Sequence, residues 1–418
     1  MKRWGNPALA LALGLATAVL LLYVAELVLR LSISDPGLAA MEQAAAAGHP
    51  FDARSRMALV RELRARGIAA VPRIVPAALR EESPEGVLRS RVSIGGRELL
   101  PLSGISRRPT VLCNESGQYA VYDSDEHGFR NPTGLWQGGS LELLLLGDSF
   151  TIGECVPPGA SIGDQLRARI PATLNLGYSG NSPLLELATL VEYAPSVAPR
   201  RVLWFIFEND LAWFDLGKDR RTPLLMAYLD AGFSQGLMGL RPEIDRSLEA
   251  LVDQTVGQPD DGGPVDRLEK LRGGPGRRLA TFLRMQELRT LLGRLRAPAS
   301  TGAQESPDYE LLARILGEAK RKVESWDGEL VVVYLPGVWK FYDAARAPAW
   351  GSGETRERLL AVVDSLGLRL VDVEGAMRRH DDPLSLYSYR GLSILGSPHM
   401  NVDGYAFAAK RVLEALYR

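Results

Sequence analysis

The sequence has 418 residues, of which 46% are hydrophobic and 24% are charged, and its formal net charge is −1 at pH 7. These proportions are typical of a folded globular protein with one large domain or two ordinary ones. The near-neutral charge, without any basic stripe, excludes nucleic acid as an expected partner.

The first 31 residues differ from the rest because they form an almost uninterrupted apolar run. Lys2 and Arg3 precede residues 8–25, which carry no charge, and about 20 apolar residues span a bilayer core. The positive N-terminus predicts an uncleaved anchor over 1–31, with the N-terminus in the cytoplasm and the remaining chain outside it. A cleaved signal peptide is the alternative, although no small-x-small cleavage site directly follows the run.

Two segments separate this run from the main domain. Residues 32–106 are predicted to form a membrane-proximal helical stalk, because 38–47 and 55–66 have helical composition, and we expect no chemistry there. Residues 118–123 are predicted to form a strand, and 124–132 a polar surface turn that leads to the main domain.

Five short apolar runs predict the strands of one sheet. They lie over 141–146, 172–176, 200–207, 329–335 and 368–373. The segments between them have helical composition, which is the pattern of consecutive βαβ units with helices on both faces of a parallel sheet. We therefore predict an α/β fold, a three-layer α/β/α arrangement around a flavodoxin-like, parallel, five-stranded sheet.

A long segment interrupts this alternation. Residues 213–325 are predicted to be a helical insertion or cap beside the site, with helices over 223–240 and 278–296 joined by a Gly- and Pro-rich linker. The main domain is therefore predicted to have two parts, 107–212 and 326–418.

The first predicted strand ends in a turn that presents a serine. Gly147 breaks the apolar run and Ser149 follows it, at the sheet edge where active sites of open α/β folds lie. The alternative is that Ser149 only caps the next helix. The second and third strands end in polar turns as well, at Gly180 and at Asn209. Such repetition is what a site assembled at one sheet edge requires.

Four features in this order resemble the SGNH/GDSL superfamily of esterases and acyltransferases. They are GDSF at 147–150, the turn at Gly180, END at 208–210, and His399 shortly before a terminal helix. The N-terminal apolar run and the sequence over 124–132 are similar to membrane-anchored bacterial members, many of which are linked with envelope polysaccharide.

The resemblance implies a role for individual residues. Ser149 matches the nucleophile, and His399 matches the general base that takes its proton. The amides of Ser149 and Gly180 and the side-chain amide of Asn209 match the donors of an oxyanion hole, each of which can be worth about 3–4 kcal/mol. Of the four histidines, His399 is preferred to His380, which lies in the polar run RRHDD.

The sequence departs from the family pattern at two positions. Gly396 stands three residues before His399, where an acidic residue is common, and Phe207 stands where a glycine is usual. We expect either a Ser–His dyad oriented by a main-chain carbonyl or an orienting carboxylate from Asp381 or Asp382. Loss of an orienting Asp can lower the rate by about 10⁴, so an inactive site is left open.

The two cysteines of the chain allow a link to this site. Cys113 and Cys155 could form a disulfide in an extracytoplasmic compartment, and the bond would tie an upstream loop to the turn that carries Ser149. Two buried free thiols are the alternative.

These observations predict an extracytoplasmic, membrane-anchored serine enzyme. It would hydrolyse an ester or transfer an acyl group, and its substrate could be an acetylated envelope glycan. The alternative is a catalytically inactive envelope protein that keeps the fold to bind glycan or assemble a complex. No cofactor and no metal are expected, because the histidines are too scattered for a His-x₃-His pair. The protein partners and oligomeric state cannot be predicted.

Overall fold

The computed structural model describes residues 7–32, 48–139, 141–211, 216–257, 308–342, 353–388 and 399–417, together with positions 41, 44–46, 282 and 285. In chain order the strands are β1 (Val71–Pro72), β2 (Arg80–Glu82), β3 (Leu88–Ser90), β4 (Val92–Ile94), β5 (Arg97–Leu99), β6 (Pro109–Val111), β7 (Val121–Asp123), β8 (Leu143–Leu146), β9 (Thr173–Asn175), β10 (Arg201–Phe207), β11 (Glu329–Leu335) and β12 (Arg369–Asp372). The helices are α1 (Pro7–Ser32), α2 (Arg56–Ala65), α3 (Ser149–Ile152), α4 (Ile162–Arg167), α5 (Pro183–Tyr193), α6 (Pro223–Met226), α7 (Arg241–Val256), α8 (Tyr309–Glu324), α9 (Gly353–Ser365), α10 (Val373–Met377) and α11 (Val402–Leu416).

The central sheet contains β8 to β12, and all of its strands are parallel. Their order is β12-β11-β10-β8-β9, which is the flavodoxin-like order in which the first strand lies between the second and the third. Trp204 of β10 pairs with Leu146 of β8 on one side and with Val332 of β11 on the other. The predicted fold and all five predicted strands are confirmed, to within two residues at each end.

Helices cover both faces of this sheet, so the predicted three layers are present. Side chains alternate between the two faces: Leu144 and Val202 belong to one apolar cluster, and Leu145 and Leu203 to the other. Helices α5 and α8 pack into the first cluster, whereas α4 and α11 pack into the second. The continuous apolar runs in the sequence are explained by this burial on both faces.

The region before the main sheet is not the helical stalk predicted for 32–106. Helix α2, which Ser55 caps, matches the predicted helix over 55–66, but the chain from β1 to β5 forms short strands. Their apolar side chains, including Val71, Val92 and Leu99, belong to the same apolar cluster as one face of the main sheet. This region therefore packs onto the main sheet as part of its core.

The insertion packs against the N-terminal region. Helix α7, which the sequence did not predict, donates a hydrogen bond from Arg241 Nη2 to the carbonyl of Gly104 over 2.8 Å. The helix predicted over 223–240 is α6 followed by short 3₁₀ turns. The helix predicted over 278–296 lies outside the described residues, apart from two isolated positions.

Helix α1 coincides with the apolar N-terminal run. Its large apolar side chains are exposed, among them Leu11, Leu20 and Leu21. Within the part of the chain that the structure describes, no helix combines the length and the apolarity needed to cross a membrane. The anchor over 1–31 is not supported by this result and stays a prediction.

Candidate active site

A tight turn after β8 sets the position of Ser149. Gly147 has φ +150°, and a Cβ there would lie 2.1 Å from Thr151 Oγ1 and 3.0 Å from the Phe205 carbonyl oxygen, so only glycine fits. The side chain of Asp148 caps α3 by accepting a hydrogen bond from the amide of Phe150 over 2.9 Å. Asp148 makes this cap through Oδ1, and its Oδ2 accepts a hydrogen bond from the Ser149 hydroxyl over 3.1 Å.

The Ser149 hydroxyl lies against the imidazole of His399. The distance from Ser149 Oγ to His399 Nε2 is 2.9 Å. His399 comes from the segment just before α11, where Asn401 caps the helix by accepting a hydrogen bond from the Gly404 amide over 3.0 Å. The structure therefore brings together the two residues that the sequence pairs as nucleophile and base, although 250 positions separate them.

The second ring nitrogen of the imidazole contacts Glu115. Glu115 Oε1 lies 2.8 Å from His399 Nδ1, and Glu115 Oε2 accepts a hydrogen bond from the His399 amide over 3.0 Å. A carboxylate at Nδ1 keeps the proton on that nitrogen, which leaves Nε2 of the neutral ring as an acceptor for the serine hydroxyl. Ser149, His399 and Glu115 thus form a triad-like row.

The expectation that Asp381 or Asp382 orients His399 is therefore wrong. Both carboxylate oxygens of Glu115 already bind His399, whereas the amide of Asp382 donates to the ring of His380 over 3.1 Å. Gly396, where the family pattern places an acid, lies outside the described residues.

A disulfide explains how Glu115 reaches the site. Cys113 and Cys155 are bonded, with their Cα atoms 5.0 Å apart, and Ser116 Oγ donates to the carbonyl of Cys155 over 3.1 Å. The loop that carries Glu115 is thereby held against the chain just after α3. The sequence reasoning missed Glu115, although its position two residues after Cys113 was a usable signal.

The surroundings of His399 favour its charged form. Burial of the ring opposes protonation, but the negative charge and hydrogen bond of Glu115 outweigh it and raise the pKa of His399 to about 9. Burial also raises the pKa of the neighbouring Asp148 to about 6. A histidine with this raised pKa is a strong base once it has lost its proton.

The turn after β9 carries Gly180 beside the Ser149 turn. The amide of Tyr178 donates to the carbonyl of Gly147 over 3.0 Å, and Gly180 has φ +76°, a conformation that glycine adopts readily. Ser179 donates a hydrogen bond to the buried carboxylate of Glu154, which also forms an ion pair with Arg73. This network fixes the turn that holds the Gly180 amide.

Asn209 and Phe207 lie at the end of β10. Asn209 belongs to the 3₁₀ turn Glu208–Leu211, and its side chain lies outside the described part of the structure. Phe207 stacks on Phe150 with ring centroids 4.0 Å apart, and Phe150 lies 4.9 Å from His399. The aromatic residue at the position where the family has glycine therefore completes the buried strand and packs against Phe150, which contacts the imidazole.

Glu208, next to Asn209, is a buried anchor for the same turn. Its carboxylate accepts hydrogen bonds from the Tyr334 hydroxyl and, over 2.8 Å, from Trp339 Nε1, and it pairs with Lys340 Nζ at 2.7 Å. These contacts tie the end of β10 to β11 and to the turn that follows β11.

Two groups of side chains have the composition of metal ligands. One contains Glu115, Cys155 and His399, and the other Cys113, Glu154 and Cys155. Every cysteine in them is part of the disulfide and offers no thiolate, while Glu115 and His399 bind each other. The arrangement is suited to proton transfer and not to metal binding.

Comparison with known proteins identifies a family. A model described as the GDSL-like lipase/acylhydrolase family matches residues 145–407, more than half of the chain. No curated protein is similar enough in sequence to match this chain. A solved lipase/acylhydrolase from Enterococcus faecalis is 13% identical with a TM-score of 0.35, and the match covers 66% of this chain and 94% of that one. An acetylxylan esterase from Geobacillus stearothermophilus is 11% identical with a TM-score of 0.34, covering 67% and 95%.

Proposed function

Because the chain belongs to the GDSL-like lipase/acylhydrolase family and is therefore an enzyme that acts on ester bonds, we propose that it cleaves its substrate with Ser149, His399 and Glu115. The observation that carries this proposal is the row of contacts in which His399 lies 2.9 Å from the Ser149 hydroxyl and 2.8 Å from Glu115.

The proposed reaction begins with Ser149. Its Oγ attacks the ester carbonyl carbon while its proton passes to His399 Nε2, and a tetrahedral oxyanion forms. When this intermediate collapses, the carbon–oxygen bond to the alcohol breaks and the alcohol leaves with the proton from Nε2. Water then attacks the acyl-enzyme with His399 as base, and the carboxylic acid and the free serine are released.

Glu115 acts on this sequence through His399. It holds the proton on Nδ1 and stabilises the imidazolium that exists between the two proton transfers. The non-catalytic alternative is motivated by the missing acid at Gly396 and by the long predicted stalk. The contact of Glu115 with Nδ1 argues against the first motive, and the strands β1 to β5 in place of a stalk argue against the second.

The oxyanion is proposed to bind to the amides of Ser149 and Gly180 and to the side-chain amide of Asn209. The proposal is supported by the hydrogen bond from Tyr178 to Gly147, which joins the first two of these turns. Preplaced donors of this kind stabilise charge that develops only in the transition state.

The proposed location is outside the cytoplasm, with α1 attached to a membrane. The Cys113–Cys155 disulfide supports this location, because such bonds persist mainly in oxidising compartments. Exposed leucines such as Leu20 and Leu21 on α1 support attachment. The acyl group is proposed to be an acetyl ester on an envelope glycan, and either water or a sugar hydroxyl could accept it.

A serine-directed fluorophosphonate probe tests the proposal on the full chain. We expect one adduct, mapped by mass spectrometry to Ser149, that is lost in Ser149→Ala and at least 100-fold slower in His399→Gln. Ser196→Ala, at an exposed serine whose hydroxyl donates to the Tyr193 carbonyl, is the matched control and keeps the labelling. A folded wild-type protein that stays unlabelled would overturn the proposal.

A further inference from the structure

A cavity of about 560 Å³ lies beside the Gly180 turn. Three arginines line it, Arg56, Arg73 and Arg91, and none of the described residues that line it is acidic. Much of the remaining wall is apolar and includes Leu79 and Val252. It is built from α2, the chain after β1, and α7, which are the N-terminal region and the insertion added to the central sheet.

The cavity shares a wall with the proposed oxyanion turn. Val75 lines the cavity, and its Cβ lies 3.9 Å from the point where a Cβ on Gly180 would be. Arg73, which also lines it, pairs with Glu154, and Glu154 accepts the hydrogen bond of Ser179. The cavity therefore borders the turn that carries Gly180.

Two arginines of the cavity, Arg56 and Arg73, each have a buried N–H group that can bind a ligand. Arg73 pairs with Glu154 through Nη1, but its Nε is buried and has no hydrogen-bond partner among the described residues, and the same is true of the Nε of Arg56. Burial, followed by the like charge of Arg73, lowers the pKa of Arg56, although a guanidinium stays charged at any physiological pH. Glu154 offsets part of this positive charge, but the buried donors remain costly unless a ligand satisfies them.

We propose that this cavity binds an anionic group, a carboxylate or a phosphate, carried by the same substrate whose ester is cleaved at Ser149. The guanidinium groups of Arg56, Arg73 and Arg91 would bind the anion, since arginine forks match both oxyanions. The apolar wall would pack against the adjoining carbon skeleton. The inference rests on the proposed function, and it narrows the substrate to an anionic ester.

Two sources of the anion are distinguished by binding to the full-length Ser149→Ala protein, which cannot turn over the ligand. The first pair of probes is an O-acetylated oligogalacturonate and its fully methyl-esterified, uncharged counterpart. The second pair is a short-chain phosphatidylglycerol and the matching diacylglycerol. Titration calorimetry is expected to give at least tenfold tighter binding of the charged member in one pair, which identifies a glycan or a lipid source. Equal binding within both pairs would overturn the proposal.

Variants test whether the preference for charged ligands arises in the cavity. Arg56→Gln and, at the exposed Arg91, Arg91→Gln are each expected to reduce the ratio of charged to uncharged affinity by about tenfold. Arg66→Gln, on the same chain segment but outside the cavity, keeps the ratio. Thermal unfolding of each variant checks that it is folded, and an unchanged ratio in both cavity variants contradicts the assignment.

The outcomes separate this proposal from the function it rests on. Labelling of Ser149 by the fluorophosphonate without any preference for charged ligands leaves the esterase mechanism and rejects the anion site. A preference for charged ligands without labelling of Ser149 keeps the anion site and rejects the mechanism.

Discussion

Glu115 holds His399 at two atoms, the ring nitrogen Nδ1 and the backbone amide. This double contact fixes both the ring and the chain segment that carries it, which a monodentate carboxylate would not do. The same carboxylate keeps the ring protonated over a wide range of pH, since its charge raises the pKa of His399. One residue therefore controls the geometry and the titration of the base.

The pH dependence of kcat/KM follows from this contact. In the proposed mechanism the neutral imidazole is the base, so kcat/KM for a neutral ester is expected to rise with pH and to level off above about 9. Glu115→Gln removes the charge that raises the pKa while burial still lowers it, so the midpoint moves to lower pH. The maximal rate is expected to fall by about 10²- to 10⁴-fold, because the ring loses its orienting charge.

The matched control is Asp381→Asn, at an exposed carboxylate near His380. It is expected to leave both the midpoint and the plateau of the pH–rate profile unchanged. A Glu115→Gln enzyme with the wild-type midpoint would show that another group sets the titration.

At the scale of elements, the disulfide joins two loops that belong to different sheets. Cys113 follows β6 of the small sheet and Cys155 follows α3 of the main domain, and the bond closes a separation of 42 residues. Both cysteines are buried. The small N-terminal sheet is thereby fixed to the nucleophile turn at the point where it supplies Glu115.

Removal of this bond is expected to affect stability and rate together. Cys113→Ser/Cys155→Ser should lower the free energy of unfolding by about 2–4 kcal/mol, because the unfolded chain regains the freedom of the open loop. It should also lower kcat, because Glu115 lies two residues from Cys113. Urea unfolding and the pH–rate profile measure the two effects, and dithiothreitol-treated wild type should match the variant. Loss of stability with an unchanged profile would show that Glu115 is held without the bond.

At the scale of the whole molecule, the sequence predicted strands and turns, which depend on neighbouring residues. It missed the contacts between residues that lie far apart in the chain. Continuous apolar runs predicted the five strands of the main sheet, and their polar ends predicted where Ser149 and Gly180 lie. Strands β1 to β5 have only two or three residues each. They are too short to show the alternation of apolar and polar side chains that identifies a strand. Glu115 contacts a histidine 284 positions away, and the local signal for this contact was its place two residues after Cys113.

The arginine cavity was missed for the same reason. Its walls come from three separated segments, around Arg56, Val75 and Val252, and each segment alone resembles an ordinary helix or loop. The region interpreted as a stalk without chemistry therefore contains Arg56, Arg73 and Arg91.

The proposed location makes a prediction about the intact chain. Expressed in a bacterial host, the full chain is expected to stay with membranes after a carbonate wash and to resist alkylation of its cysteines by maleimide before reduction. A chain lacking residues 1–47 is expected in the soluble fraction, with both thiols alkylated. A full chain that is washed off the membrane, or whose cysteines are alkylated without reduction, contradicts the proposed location.

Glu115 lies outside residues 145–407, the part of the chain that matches the family. That part contains Ser149 and His399 but not the carboxylate that contacts His399 Nδ1, so an inspection confined to it would classify the chain as a degenerate relative. The carboxylate that contacts His399 comes instead from Glu115, in a loop that the Cys113–Cys155 disulfide ties to the main domain. Relatives that lack the acid before the histidine can therefore be screened for the same solution: a Cys-x-Glu upstream of the serine and a second cysteine six residues after it.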